Sequence, residues 1–142
     1  MDCGPGCLKM IAAYRGKSLS MQYLRKLCKI GKQGTTMLDL IEASTQMGFK
    51  TLAAEIPLNK LSNVPLHCIL HWQKEHYLVL YEINDKHVYL ADPALNSKIK
   101  LGIDDFLAGW AIDTEKKIGR VLLLQPDETF KDLKEIPEHK TS

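Results

Sequence analysis

The hydrophobic periodicity of this chain switches once, at Gly48, and that switch limits the folds open to it. Ahead of it lie three helical segments, each closed by a glycine: Gly16, Gly31 and Gly48. Residues 4–15 set Cys7, Leu8, Ile11 and Ala12 on one apolar stripe, with Pro5 in the first turn, where a missing N–H costs nothing. Ser20 caps the second segment, whose Leu24, Leu27 and Cys28 face inward. Thr36-Met37-Leu38-Asp39 is a capping-box variant that opens the third, which runs to Met47. Beyond the switch the pattern is that of strands. Residues 49–56 alternate, residues 58–61 form a turn or short helical piece, and Pro65 introduces a strand over 66–72. Residues 77–83 and 87–91 flank Asn84-Asp85-Lys86 as a hairpin, and 99–101 and 120–124 read as further strands. A short helix over 104–110 turns Phe106 and Trp110 inward. Helices first and antiparallel strands after give an α+β fold, a helical lobe followed by a sheet lobe.

The 142 residues make one domain with room for a real core, and residues 1–126 are expected to hold it. The charged stretch 127–142, carrying Pro137, reads as a linker or exposed tail. Nineteen Lys and Arg are scattered among 17 acids, which is no electrostatic footprint for nucleic acid. No apolar run reaches the ~18 residues of a membrane span, and the polar first residues are no signal peptide. Four cysteines in an ordinary composition do not make a disulfide scaffold, so a reducing compartment with free thiols is expected.

The chemistry concentrates at Cys3. It precedes the first helix on a Gly-Pro-Gly turn, where free N–H groups and the positive end of the helix dipole favour a thiolate. Alone it reads as a generic terminal thiol; a nucleophile needs a base, and the base needs an orienting group. His76 opens the strand His76-Tyr77-Leu78-Val79-Leu80, and Asp92 ends Tyr89-Leu90-Ala91-Asp92, where Pro93 stops the pairing. A hairpin centred on residue 84 opposes 76 and 92 directly; one centred on 85 leaves them two positions apart, still within diagonal reach. An Asp that fixes the imidazole tautomer leaves the other ring nitrogen for the thiol.

The segments DCGPGCLKMIA, HWQKEHYLVLYEI and VYLADPA, in this order and spacing, resemble the peptidase domain of bacterial bacteriocin-processing ABC exporters, peptidase family C39. The resemblance spans residues 2 to 126, and LLLQPDETF is similar to the stretch where such a domain hands over to the transporter. It implies a papain-like cysteine protease that cuts leader peptides after a Gly-Gly pair, on the cytosolic side of the membrane. It assigns Cys3 as nucleophile, His76 as general base and Asp92 as the residue orienting it. The implied partners are the leader peptide and the exporter's membrane and ATPase domains. Nucleotide would bind in those domains, since this chain has no G-x-x-x-x-G-K-[ST] loop, and no metal or organic cofactor is implied here. The family also places a glutamine a few residues before the cysteine, as an oxyanion donor. Only Met1 and Asp2 stand there, and Gln22 and Gln33 are poor substitutes. Met1 is therefore read as an internal methionine or a boundary. Loss of one such donor costs about 10²–10³ in rate.

Competing readings exist for each residue. Cys7, Cys28 and Cys68 read as core, and Cys-x3-Cys is not the redox spacing. His67, Cys68, His71 and His76 invite zinc, but on a strand His67 and His71 are about 13 Å apart, too far for one ion. His71 and Trp72 are candidates for lining a cleft beside His76; His87 reads as an exposed hairpin residue and His139 as part of the tail. Asp92 before Pro93 is also a common turn starter. Two rival functions stay open: a leader-binding module without turnover, and a different papain-like hydrolase such as an amidase.

Overall fold

The computed structural model describes residues 2–29, 34–73 and 75–138. Helix α1 (Cys3–Tyr14) ends as its glycine dictates: Gly16 takes φ +89, and Lys17 N–H closes back on Ala12 O at 2.9 Å. Helix α2 (Met21–Cys28) is capped by Ser20 Oγ, which accepts from Tyr23 N–H at 3.1 Å. It stops earlier than its glycine suggested, because Lys29 itself takes the left-handed conformation at φ 53; Gly31 lies outside the described residues. Helix α3 (Met37–Met47) carries a complete capping box, with Thr36 and Asp39 exchanging backbone and side-chain bonds at 3.1 Å each. Aspartate performs the reciprocal bond in place of the commoner glutamate.

The strands are β1 (Phe49–Pro57), β2 (Cys68–Trp72), β3 (His76–Ile83), β4 (His87–Asp92), β5 (Ser97–Gly102), β6 (Ala111–Asp113) and β7 (Ile118–Pro126). The short helix α4 (Leu58–Leu61) follows β1, and α5 (Ile103–Trp110) joins β5 to β6. Among the described residues these strands pair antiparallel, in the order β1-β7-β2-β3-β4-β5, with the three-residue β6 against β7. The α+β reading holds.

Alternation along β3 divides the core. Tyr77 and Val79 join Cys3, Cys7, Leu8 and Ile11 of α1 on one face. Leu78 and Leu80 join Phe106 and Trp110 of α5 on the other. Trp110 is fixed there by its indole N–H, which donates to Arg120 O at 3.1 Å, and its ring covers Gly119.

The segment after Pro126, expected as linker or exposed tail, is in part a strap packed onto the helices. Asp127 Oδ1 caps α6 (Glu128–Asp132) by accepting from Thr129 N–H at 2.8 Å. Phe130 is buried against Phe49, ring centroids 4.6 Å apart. Leu133 and Ile136 pack on the helical core, and Ile136 N–H donates to Ser18 O at 3.0 Å. The high charge of the stretch hides these three apolar anchors, spaced three apart among exposed lysines and acids.

Candidate active site

Helix α1 lies along β3 and runs the same way. Cys7 Sγ donates to Tyr77 O at 3.3 Å, and further on Met10 and Ala13 share a cavity wall with Val79 and Tyr81. One helical turn back from Cys7 is about 6 Å, the length of roughly two strand residues. That brings Cys3 level with the start of β3, where His76 stands. Cys3 itself is 7% exposed. Its N–H and that of Gly4 belong to the first turn, where no intrahelical acceptor exists. Asp2, just ahead, is held by Arg25 through two bonds of 3.1 and 2.6 Å, and that hydrogen-bonded guanidinium keeps its carboxyl below the usual range.

Successive helical residues turn by about 100°, so Gly4 and Gly6 flank Cys3 on opposite sides. Both glycines are close approaches. A β-carbon on Gly4 would stand 2.9 Å from Thr35 Cβ, and one on Gly6 2.5 Å from Pro93 Cβ. The thiol therefore sits between two walls, the start of the α3 segment and the Asp92-Pro93 corner.

The hairpin register decides where Asp92 falls. Near the turn Ile83 pairs with Val88 and Glu82 with Tyr89; a bulge at Tyr81 then shifts the ladder, so that Leu80 pairs with Leu90 and Val79 with Ala91. Continued one step, the ladder sets Asp92 across from Leu78, two residues from His76. This is the diagonal of the two arrangements the sequence allowed, and His76 and Asp92 root on the same sheet face, that of Leu78, opposite the face that α1 covers. Without the bulge Asp92 would oppose Val79 and project from the other face. His76 is exposed and Asp92 half-buried. The structure thus gathers the three elements that carry Cys3, His76 and Asp92, but among the described residues no hydrogen bond joins the three side chains. Asp92 Oδ1 accepts from Ala94 N–H at 2.9 Å, as an Asp-Pro turn starter does.

The other thiols are chemically quiet. Burial pushes Cys7 well up, with Cys3, Asp92 and Cys28 adding repulsion. Burial pushes Cys28 and Cys68 up to about 12, with Asp39 adding repulsion at Cys28. His71 stacks on Tyr77, ring centroids 5.1 Å apart, and lines a cavity with Gln73, Gly109 and Trp110. Tyr77, missed in the sequence though it adjoins His76, is buried beside the thiol. Burial raises its hydroxyl, with Cys3 first among the charges that add to the shift. Thr35 and Pro93 carried no chemical signal and are found only through the glycines they touch. His67 stacks on Tyr14 at 3.7 Å, and among the described residues no three His, Cys, Asp or Glu gather as a metal site.

A trough runs along α1 from this turn. A cavity of ≈ 620 Å³ lined by Gly6, Lys9 and Met21 continues, through shared walls at Met10, Ala13 and Asn96, into one of ≈ 330 Å³ bounded by His67 and Tyr81. Among the described residues no helix is long and apolar enough to cross a membrane.

The chain is similar to known proteins in sequence and in fold. The colicin V secretion/processing ATP-binding protein CvaB of Escherichia coli is 33% identical over 93 residues, 66% of this chain and 13% of that protein. The mesentericin-Y105 transport/processing ATP-binding protein MesD of Leuconostoc mesenteroides is 31% identical over 99% of this chain and 20% of that protein. The chain thus spans a fifth or less of these relatives. Among solved structures, a double glycine motif protease from an AMS/PCAT transporter, crystallised with its leader peptide, superposes with a TM-score of 0.78 at 25% identity, covering 89% of this chain and 85% of that one. The peptidase domain of Streptococcus ComA gives 0.77 at 29% identity, covering 89% and 92%. The model of the peptidase C39 family matches residues 1–117, and the chain belongs to that family.

Proposed function

We propose that this domain is a cysteine endopeptidase that removes double-glycine leaders from exported peptides, at the cytosolic face of an ABC exporter whose membrane and ATPase parts lie outside this chain. The observation that carries the reading is a thiol in the first turn of α1, a helix whose Cys7 is bonded to Tyr77, the neighbour of His76. Thr35 and Pro93 pack directly on Gly4 and Gly6, and crowding on both sides of the thiol is in keeping with a glycine requirement in the substrate.

In this reading Cys3 gives its proton to His76 and attacks the carbonyl carbon of the second glycine. The oxyanion accepts from the Cys3 N–H. When the C–N bond breaks, His76 returns the proton to the leaving amine, and a thioester to Cys3 remains. Water, deprotonated by His76, then releases the leader with a free carboxylate and restores the thiol. Asp92 holds the imidazole oriented through its second oxygen, while the first stays in the turn. The rest of the leader lies as an amphipathic helix in the trough along α1.

A leader-binding module is the rival reading, favoured by the absence of a direct Asp92–His76 bond among the described residues. Mass spectrometry of a Gly-Gly leader peptide incubated with the protein separates the two. The proposal expects one cut after the second glycine, and at least a 100-fold slower cut when the pair is Ala-Ala. Binding without any cut supports the rival. Equal cleavage of both peptides, or of simple amides, points to a general hydrolase.

A further inference from the structure

Tyr77, His71 and Arg120 form one row across the sheet. His71 pairs with Tyr77 in the β2–β3 ladder. The β2–β7 ladder, continued one step beyond Leu70 and Val121, sets Arg120 across from His71. The row ends at Glu55 on β1, whose carboxylate accepts from Arg120 Nε at 2.9 Å. Ile69 and Leu122 share the face of His71 and Arg120 and pack with α1, so the row lies on the sheet face that carries Cys3.

On this row opens a cavity of ≈ 560 Å³, lined by His71 and Arg120 together with Gln73, Gly109 and Ile112. It lies on the other side of β3 from the trough. β2 and β4 flank β3 on opposite sides. The trough takes its sheet walls from β3, β4 and the turn after β4, at Ala91, Pro93 and Asn96. The cavity takes its walls from β2, α5, β6 and β7. A peptide that enters along the trough and sets its glycine pair at Cys3 therefore leaves over Tyr77 and His71. From β3 to β7 is two strand spacings, about 10 Å, the span of three extended residues.

The lining selects for uncharged, apolar side chains. Ile112 is 52% exposed and, with Ala108 and Ala111, makes one wall aliphatic. The guanidinium of Arg120 is already matched by Glu55. We propose that this cavity receives the first three residues that follow the glycine pair, an uncharged stretch with an apolar side chain against Ile112 and its backbone over His71. The inference rests on the reading of the trough as the leader site. It adds recognition of the exported peptide itself, on the other side of the scissile bond.

The test uses the Cys3→Ala form of the chain, so that peptide is bound and not consumed. Calorimetry compares three peptides: a leader ending at Gly-Gly, that leader extended by three serines, and that leader extended by three leucines. The leucine extension is expected to bind roughly tenfold tighter than the serine extension, and the serine extension within about twofold of the bare leader. Ile112→Ser, a change at an exposed position that the fold tolerates, should bring the two extensions within about twofold of each other. The inference fails if the unsubstituted Cys3→Ala form binds both extensions alike. It fails equally if Ile112→Ser keeps the tenfold preference, which would place the apolar contact elsewhere. A bare leader that binds while neither extension adds affinity leaves the trough reading standing and removes the cavity from it. If no peptide binds, the trough reading itself fails, and this inference with it.

Discussion

Cys3→Ala is expected to end leader cleavage, lowering the rate by on the order of 10⁵–10⁶, as loss of a nucleophile does in a triad whose members act as a unit. Fold and leader binding should survive. The side chain is small, it sits in the first turn, and alanine is the better helix former. The thermal midpoint should stay within a few degrees, and leader affinity within about twofold. Cys7→Ala gives the contrast. Its thiol is buried with a backbone partner at 3.3 Å, so the change should cost about 1 kcal/mol in stability and leave cleavage near the parent rate. Chromatographic separation of leader and product, with a denaturation curve for each variant, reads both effects. A Cys3→Ala form that cleaved at the parent rate would remove Cys3 from the mechanism.

The largest stability effect is expected at Gly48. Its φ of +101 closes α3, a conformation a side chain resists. A β-carbon there would lie 2.1 Å from the backbone nitrogen of Phe130, and backbone cannot move aside as a flexible side chain can. Gly48 O also accepts from Asp127 N–H at 2.8 Å, so the strap is tied to this corner. Gly48→Ala should therefore cost about 3–5 kcal/mol, strain and overpacking together, and lower the melting temperature by roughly 10 °C or more. Gly16→Ala is the control. It has a similar φ of +89 and nothing within 4 Å, so only the backbone strain remains, about 1–2 kcal/mol. Equal losses for the two variants would show that the strap does not bear on Gly48.

Much of this was legible before the structure, for local reasons. Helix ends follow from short-range chemistry, so Ser20, Thr36-Asp39, Gly16 and Gly48 marked them directly. Cys3, His76 and Asp92 stood out because each sits at an element end, where a polar group borders an apolar run. What stayed hidden is set by contacts distant in sequence. The bulge at Tyr81 fixes which face Asp92 shares, and counting from the turn gives parity only for an unbroken ladder. Phe130 looked like one aromatic in a charged tail until Phe49, 81 residues earlier, was found beneath it. Thr35 and Pro93 matter through Gly4 and Gly6, and no pattern in the chain pairs them. Lys29 adopts a glycine-like conformation, which no residue preference predicts.

In the proposed reaction Cys3, alone among four thiols, attacks the carbonyl of a glycine pair. The direct measurement is peptide mapping after treatment with a leader peptide ending in Gly-Gly chloromethyl ketone, at pH 7. Only a thiolate reacts, and Cys7, Cys28 and Cys68 are held protonated by burial. One adduct per chain is expected, on Cys3, formed at least 100-fold faster than with a ketone on an Ala-Ala leader. An adduct on Cys7, Cys28 or Cys68 of the folded protein, or equal rates with both leaders, would contradict it.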